Sequence, residues 1–312
     1  MIITVTLNPA IDKTITIDDF QIGAVNRVNS TRIDAAGKGI NVSKVIKALN
    51  GESKAIGILA GSSGEFIKSE LDKINISNDF IMVDGETRTN VKVVDTKSQI
   101  TTEINEKGPY IEDESLDEIK KRIIDTIPEN AVVVFSGSVP RNVDVCIYEY
   151  LVEKSKEKGA KCILDTSKKL LSESIKAGPF LVKPNIHELE ELLDRKLETN
   201  EAIAKAAKEF LNYGVQYVVV SLGKDGSLFV TEDKVALVKG KQVEVKSTVG
   251  AGDAMVAALA FAIEQNYSFE DIIKLASATS TTAVMTEGTQ PGSIEEIESL
   301  KSEVSFEYLD VE

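Results

Sequence analysis

A glycine-rich turn that runs into an apolar helix, with an aspartate at the junction, is the segment best equipped for chemistry: TVGAGDAMVAALAFAI, from Thr248. Gly250, Ala251 and Gly252 can present bare backbone N–H groups at a helix N-terminus, where the helix dipole also favours an anion. Charge building on a phosphoryl group in transit would be stabilised there. Asp253 stands where it can take a proton from an incoming hydroxyl. Aspartate is also a common N-cap. The glycines on both sides of Ala251 favour the chemical reading, because a cap needs no such close backbone approach.

Three further segments could serve the same reaction. In AAGKGINVSKVIKAL, from Ala35, Gly37 and Gly39 flank Lys38. The turn exposes backbone and brings one cation and the Asn41 amide near one spot. It is not a Walker A loop, which needs G-x-x-x-x-G-K-[ST], and a plain strand-to-helix turn with a solvated lysine would look similar. In KPNIHELEELL, from Lys183, Asn185 and Glu188 sit three apart at a helix start. They suit a hydrated Mg²⁺ or phosphates, and they also match a capping box. In SLGKDGSLF, from Ser221, Gly223 and Gly226 mark a tight turn between two strands. That turn is an ordinary hairpin or the edge of a nucleotide site.

The elements that must hold these residues alternate. IITVTL, AVVVFSG (from Ala131), KCILDTS (from Lys161), FLVKPN (from Phe180) and YVVVSLG (from Tyr217) read as short buried strands. Helical patterns cover Ile40–Leu49, Gly64–Asn75, Glu114–Thr126, Val143–Lys158, Asn200–Tyr213, Asp253–Gln265 and Phe269–Thr286. The rhythm predicts an α/β fold: one domain over residues 1–312, a doubly wound, mostly parallel sheet flanked by helices, with ligands at the strand C-terminal ends. Asn8 to Asp12, Ser136 to Ser138, Asp165 to Ser167, Lys183 to Asn185 and Ser221 to Gly223 all fall at such ends. Residues 12–34 and 87–105 alternate like strands with no helix between them. They are expected to form a small β-sheet lid over one end of the main sheet, rather than an antiparallel edge.

Bulk properties exclude several classes. The 312 residues carry 36 basic and 50 acidic side chains, for a net charge of −14. Nucleic-acid binding, which needs a basic surface, is not expected. No stretch reaches the roughly 18–20 apolar residues of a membrane span, and MIITVTLNPA lacks the basic region of a secretory signal. His187 is the single histidine, which rules out a zinc site built on several. Cys146 and Cys162 give no disulfide framework. A cytoplasmic setting is expected.

Taken in order, the motifs resemble the PfkB group of the ribokinase superfamily: TLNPAID at 6–12, AAGKGINVSKV at 35–45, SGSVP at 136–140, DTS at 165–167, KPNxxE at 183–188, SLGxxG at 221–226 and STVGAGD at 247–253. The likeness runs nearly end to end. AAGKGIN, TRTNVK and STVGAGD look most like bacterial 1-phosphofructokinases, with tagatose-6-phosphate kinases as close relatives. The resemblance implies a ribokinase-like fold and an ATP- and Mg²⁺-dependent kinase acting on a phosphorylated ketose. It makes Asp253 the base and the backbone of Gly250, Ala251 and Gly252 the anion hole. It assigns the sugar to Asp12, Gly37, Lys38, Gly39 and Asn41, with Arg88 and Asn90 reaching from the lid and Ser138 at the substrate-phosphate end. ATP falls to Lys183, Asn185, Ser221, Leu222, Gly223, Gly226, Thr248 and Gly252. Mg²⁺, held through water, falls to Asn185 and Glu188. In the family such lids often pair, so a homodimer through the lid is implied.

Superfamily sugar kinases with a monovalent-cation site often carry an aspartate six residues before the base. Here that residue is Ser247, which counts against a K⁺ requirement and agrees with the phosphosugar kinases. Fructose 1-phosphate is the expected acceptor, with tagatose 6-phosphate or fructose 6-phosphate as alternatives. Lys38, Arg88 and Arg27 would supply the cations a phosphorylated substrate needs. A non-catalytic sugar-phosphate sensor on the same scaffold could dispense with the base, and Asp253 speaks against it. A nicotinamide dehydrogenase needs G-x-G-x-x-G after the first strand, where TLNPAID stands.

Overall fold

The computed structural model describes residues 1–311. From the N-terminus, β1 (Ile2–Thr6) leads to β2 (Ala10–Ile17), β3 (Ser30–Ala36), α1 (Lys38–Ala48), β4 (Ser53–Ala60), α2 (Gly61–Lys73) and β5 (Ser77–Val83). Next come β6 (Arg88–Asp95), β7 (Ile100–Asn105), α3 (Asp113–Thr126), β8 (Val132–Ser136), α4 (Ile147–Glu157), β9 (Lys161–Asp165), α5 (Lys168–Ser174) and β10 (Leu181–Val182). The chain continues through α6 (Ile186–Leu193), α7 (Asn200–Lys208), β11 (Tyr217–Ser221), β12 (Gly226–Val230) and β13 (Val235–Lys239). It closes with α8 (Ala251–Glu264), α9 (Phe269–Val284), α10 (Ile294–Glu303) and β14 (Phe306–Tyr308).

Ten strands form the main sheet in the order β14-β13-β12-β11-β10-β9-β8-β1-β4-β5. Pairing is parallel from β5 across to β11 and antiparallel from β11 out to β14. The order reverses at β1, since β4 and β5 add on one side and β8 to β11 on the other. Such a switch opens a crevice beyond the strand C-terminal ends. β1 and β8 are buried at every position, which explains their unbroken Val and Ile runs. Their side chains alternate between two cores. Ile3, Val5, Val133 and Phe135 join the layer under α3 to α7, while Ile2, Val132 and Val134 join the layer under α1, α8, α9 and α10. α8 is buried around almost its whole circumference; its alanines let α1 and α9 approach closely.

The alternating segments at 12–34 and 87–105 form a second sheet, as expected, in the order β3-β2-β6-β7. Its strands run slightly beyond the expected limits, from Ala10 and to Ala36. β2 pairs antiparallel with β3 but parallel with β6, and β6 pairs antiparallel with β7.

Several elements differ from the sequence reading. β4, between two helical patterns, went unread because Gly57 interrupts its apolar run, and β5, with a single buried position, went unread beside it. The short α5 and α10, β13 and the edge strand β14 were likewise unread. α1 begins at Lys38 instead of Ile40, and α8 at Ala251 instead of Asp253. Both first turns contain glycine, which helix propensity counts against. α4 starts at Ile147, and the pattern expected through Tyr213 leaves the α-helix at Lys208 for a 3₁₀ segment over Glu209–Tyr213. Among the described residues, no helix is long and apolar enough to cross a membrane.

Candidate active site

Gly250 caps α8 with φ at 87°, a left-handed conformation that costs glycine nothing and other residues dearly. The first bond of the helix runs from Ala254 N–H to the Gly250 carbonyl at 2.8 Å. The N–H groups of Ala251, Gly252 and Asp253 therefore have no acceptor within the helix. Asp253 is the third helical residue and makes no capping bond, so the N-cap alternative does not hold. Its carboxylate is buried and accepts a hydrogen bond from Asn41 Nδ2 at 2.8 Å. Burial pushes its pKa up to about 6, against the pull of Lys38. A carboxylate so poised can accept a proton near neutral pH.

The N-terminus of α1 faces the same point. Gly39 lies so close to β1 that a Cβ there would sit 2.4 Å from Thr6 Oγ1 and 2.9 Å from the Val5 carbonyl. This contact brings Lys38 and Asn41 to the crevice. Lys38 Nζ lies 3.3 and 3.2 Å from the two Asp165 oxygens, and Lys183 Nζ lies 3.2 Å from Asp165 Oδ1. Burial of Asp165 opposes its ionisation, but Lys183 and Lys38 outweigh it and hold the carboxyl below the usual range. Burial likewise works against the Lys38 charge, and Asp165, Asp253 and Glu188 override it, raising its pKa. The result is a pair of fixed ammoniums. A Cβ on Gly252 would meet Lys183 Nζ at 3.4 Å, which sets that cation beside the free N–H groups of α8.

The second sheet supplies the opposite wall. Asp12 is buried and accepts from Asn90 Nδ2 at 3.0 Å and from Lys92 Nζ at 2.6 Å. Arg88 lines the same space, its guanidinium donating to the carbonyls of Asn8, Pro9 and Glu106. Ser138 is exposed and accepts from Asn8 Nδ2 at 3.3 Å; it stands apart from the cavity the other residues share.

At the far end Asn185 caps α6, and Glu188 completes a reciprocal capping box with both bonds at 2.9 Å. The two residues also line the cavity, so the cap does not withdraw them from it. Ser221, Leu222, Gly223 and Gly226 form the β11–β12 hairpin turn beside it, and Thr248 lies exposed at its rim. One continuous cavity of about 1380 Å³ joins the site residues named here except Ser138, Gly39 and Asp165, which lies behind Lys38 and Lys183. It exceeds the usual volume for one small ligand, about 300–1,000 Å³, and can hold two reactants end to end.

The sequence pattern of the pfkB family carbohydrate kinases matches residues 5–297. This chain belongs to that family. It is 35% identical to a 1-phosphofructokinase of Borreliella burgdorferi over 286 residues, covering 91% of this chain and 92% of the relative. It is 34% identical to a tagatose-6-phosphate kinase of Staphylococcus epidermidis, covering 89% and 90%. The crystal structure of Escherichia coli phosphofructokinase-2 in complex with potassium superposes with a TM-score of 0.92 at 30% identity, covering 97% and 98%. The pfkB kinase is thus a phosphotransferase whose acceptor is a carbohydrate hydroxyl.

Two residues of this pfkB-family site escaped the sequence reading. Asp165 lay in a quoted motif, DTS, but received no role; an acid at the end of a buried strand was the available signal. Lys92 lay two residues beyond Asn90 in TNVKVV, and strand alternation alone puts the two on one face.

Proposed function

We propose that this kinase transfers the γ-phosphoryl group of ATP to a free hydroxyl of an already phosphorylated ketose, converting fructose 1-phosphate to fructose 1,6-bisphosphate. The observation that carries the reading is a single cavity in which the Asp253 carboxylate, the open N-terminus of α8 and the Lys38–Asp165–Lys183 array meet. Asp253 takes the proton of the acceptor hydroxyl as its oxygen attacks the γ-phosphorus. The bond to the bridging oxygen breaks, and ADP departs. Charge spread over the phosphoryl oxygens is met by the backbone N–H groups of Gly250 to Gly252 and by the two ammoniums, so positioning and electrostatics supply most of the catalysis.

Asp12, Lys38, Asn41 and the backbone at Gly37 and Gly39 hold the sugar, with Arg88 and Asn90 from the second sheet acting as a lid. Ser138 stands beyond the cavity, towards the substrate-phosphate end. ATP lies along Lys183, Ser221, Leu222, Gly223, Gly226, Thr248 and Gly252. Mg²⁺ fits beside Asn185 and Glu188. Glu188 lends only Oε2 to its cap, leaving Oε1 without a hydrogen bond at the cavity. Since both residues stay engaged in the cap, they would hold the ion through water, and the bound ion would offset phosphate charge.

The names of the relatives support a ketose already carrying phosphate, and the tagatose-6-phosphate kinases make tagatose 6-phosphate the second acceptor to try. The test is a panel of phosphorylated and free ketoses with Mg-ATP, read as ADP release. Fructose 1-phosphate should give the highest kcat/KM, and a free sugar outrunning every phosphosugar would contradict the proposal. The second sheet also offers a surface for pairing. Its outward side exposes Ile33, Ile100 and Ile104 at 51–59%, an apolar strip that a second copy of the sheet would cover.

A further inference from the structure

Lys92 has no part in the roles assigned so far, yet it is one of the few lysines the fold buries. Its side chain is 11% exposed and that of Asp12 is 10%, with Nζ and Oδ2 2.6 Å apart. The ladder sets Asp12 opposite Asn90, and Lys92 lies two residues on, on the same face of β6. All three side chains line the cavity. Asn90 donates to Asp12 Oδ1 and keeps its own Oδ1 buried without a partner.

A carboxylate is a good acceptor for sugar hydroxyls, but an unpaired one repels a substrate that carries phosphate. The chain's net charge of −14 adds to that repulsion. Removing one partner of a buried ion pair leaves the other charge uncompensated, which is costly. We propose that Lys92 is a positioning residue which, by pairing with Asp12, turns the acidic hydroxyl reader into a neutral unit that admits an anionic sugar. The unit still presents the remaining Asp12 lone pairs to the substrate. This inference rests on the phosphoketose reading above.

The test is a cycle of Asp12→Asn, Lys92→Met and the double variant, with Lys92→Arg as the conservative control and thermal melts to confirm folding. Lys92→Met should raise KM for the phosphosugar by about ten- to a hundredfold while KM for ATP stays within about threefold. Lys92→Arg should restore most of the loss. Once Asp12 is neutral, Lys92 should matter little, so the double variant should match Asp12→Asn alone and bind phosphosugar better than Lys92→Met. The comparison of the double variant with Asp12→Asn holds even if Lys92→Met alone fails to fold. Should the wild type prefer an unphosphorylated sugar, both readings fall. Should it prefer a phosphoketose while the two losses simply add, or while both KM values rise together, only the role of Lys92 falls.

Discussion

Asp253 holds its proton more tightly in the folded chain than in the unfolded one, because burial raises its pKa to about 6 from an ordinary 3.8. Between those values the folded state binds more protons, so stability declines as pH rises through the window, and the loss persists above it. Asp253→Asn removes the ionisable group. The variant should be more stable than wild type at pH 7.5, by on the order of 2–3 kcal/mol, with the difference vanishing below about pH 3. Urea melts at the two pH values check this, and equal stabilities at both would contradict burial as the cause. The proton-accepting form is the ionised one, so wild-type turnover should rise as pH climbs through about 6. Asp253, Lys38 and Asn41 were legible in the sequence because glycines beside them flagged an exposed backbone. Asp165 was not legible as the bridge between two lysines, since its partner Lys38 is 127 residues away and a buried ion pair leaves no local pattern. Arg88 came from the resemblance, and it lines the cavity, but its engagement with three backbone carbonyls depends on tertiary packing.

At the level of elements, the capping box at Asn185 and Glu188 followed from spacing alone, and so did the strand character of the two second-sheet segments. β4 was lost because a five-residue apolar run broken by glycine reads equally as loop or strand. The first turns of α1 and α8 were lost because their glycines oppose helix formation, whereas the fold uses them for close approach. Gly39 makes that approach testable. In Gly39→Ala the new Cβ would press on Thr6 Oγ1 and on the backbone of Val5, which cannot yield as a flexible side chain can. α1 must then lift from β1 and carry Lys38 and Asn41 with it. We expect a stability loss of about 1–3 kcal/mol, with kcat reduced beyond what the melting shift alone explains. Wild-type melting and kcat would show that the close contact does not set the position of α1.

On the scale of the whole molecule, the reversal of strand order at β1 gathers residues from distant segments into one crevice, and the second sheet closes its side. The βαβ rhythm made that architecture legible, whereas the parallel pairing of β2 with β6 was not, because alternation is blind to strand direction. The outward isoleucines lead to a quaternary prediction. Light scattering should give a dimer at micromolar concentration, and Ile104→Glu should shift it towards monomer and lower phosphosugar turnover without melting the main sheet. A fully active wild-type monomer would contradict pairing through this face. Asp253 as the base is tested most directly by turnover of Asp253→Asn on fructose 1-phosphate with Mg-ATP, measured alongside its affinities for both substrates. Turnover should fall about 10²–10⁴-fold while both affinities stay within a few-fold of wild type. Near-wild-type turnover in that variant would contradict the assignment.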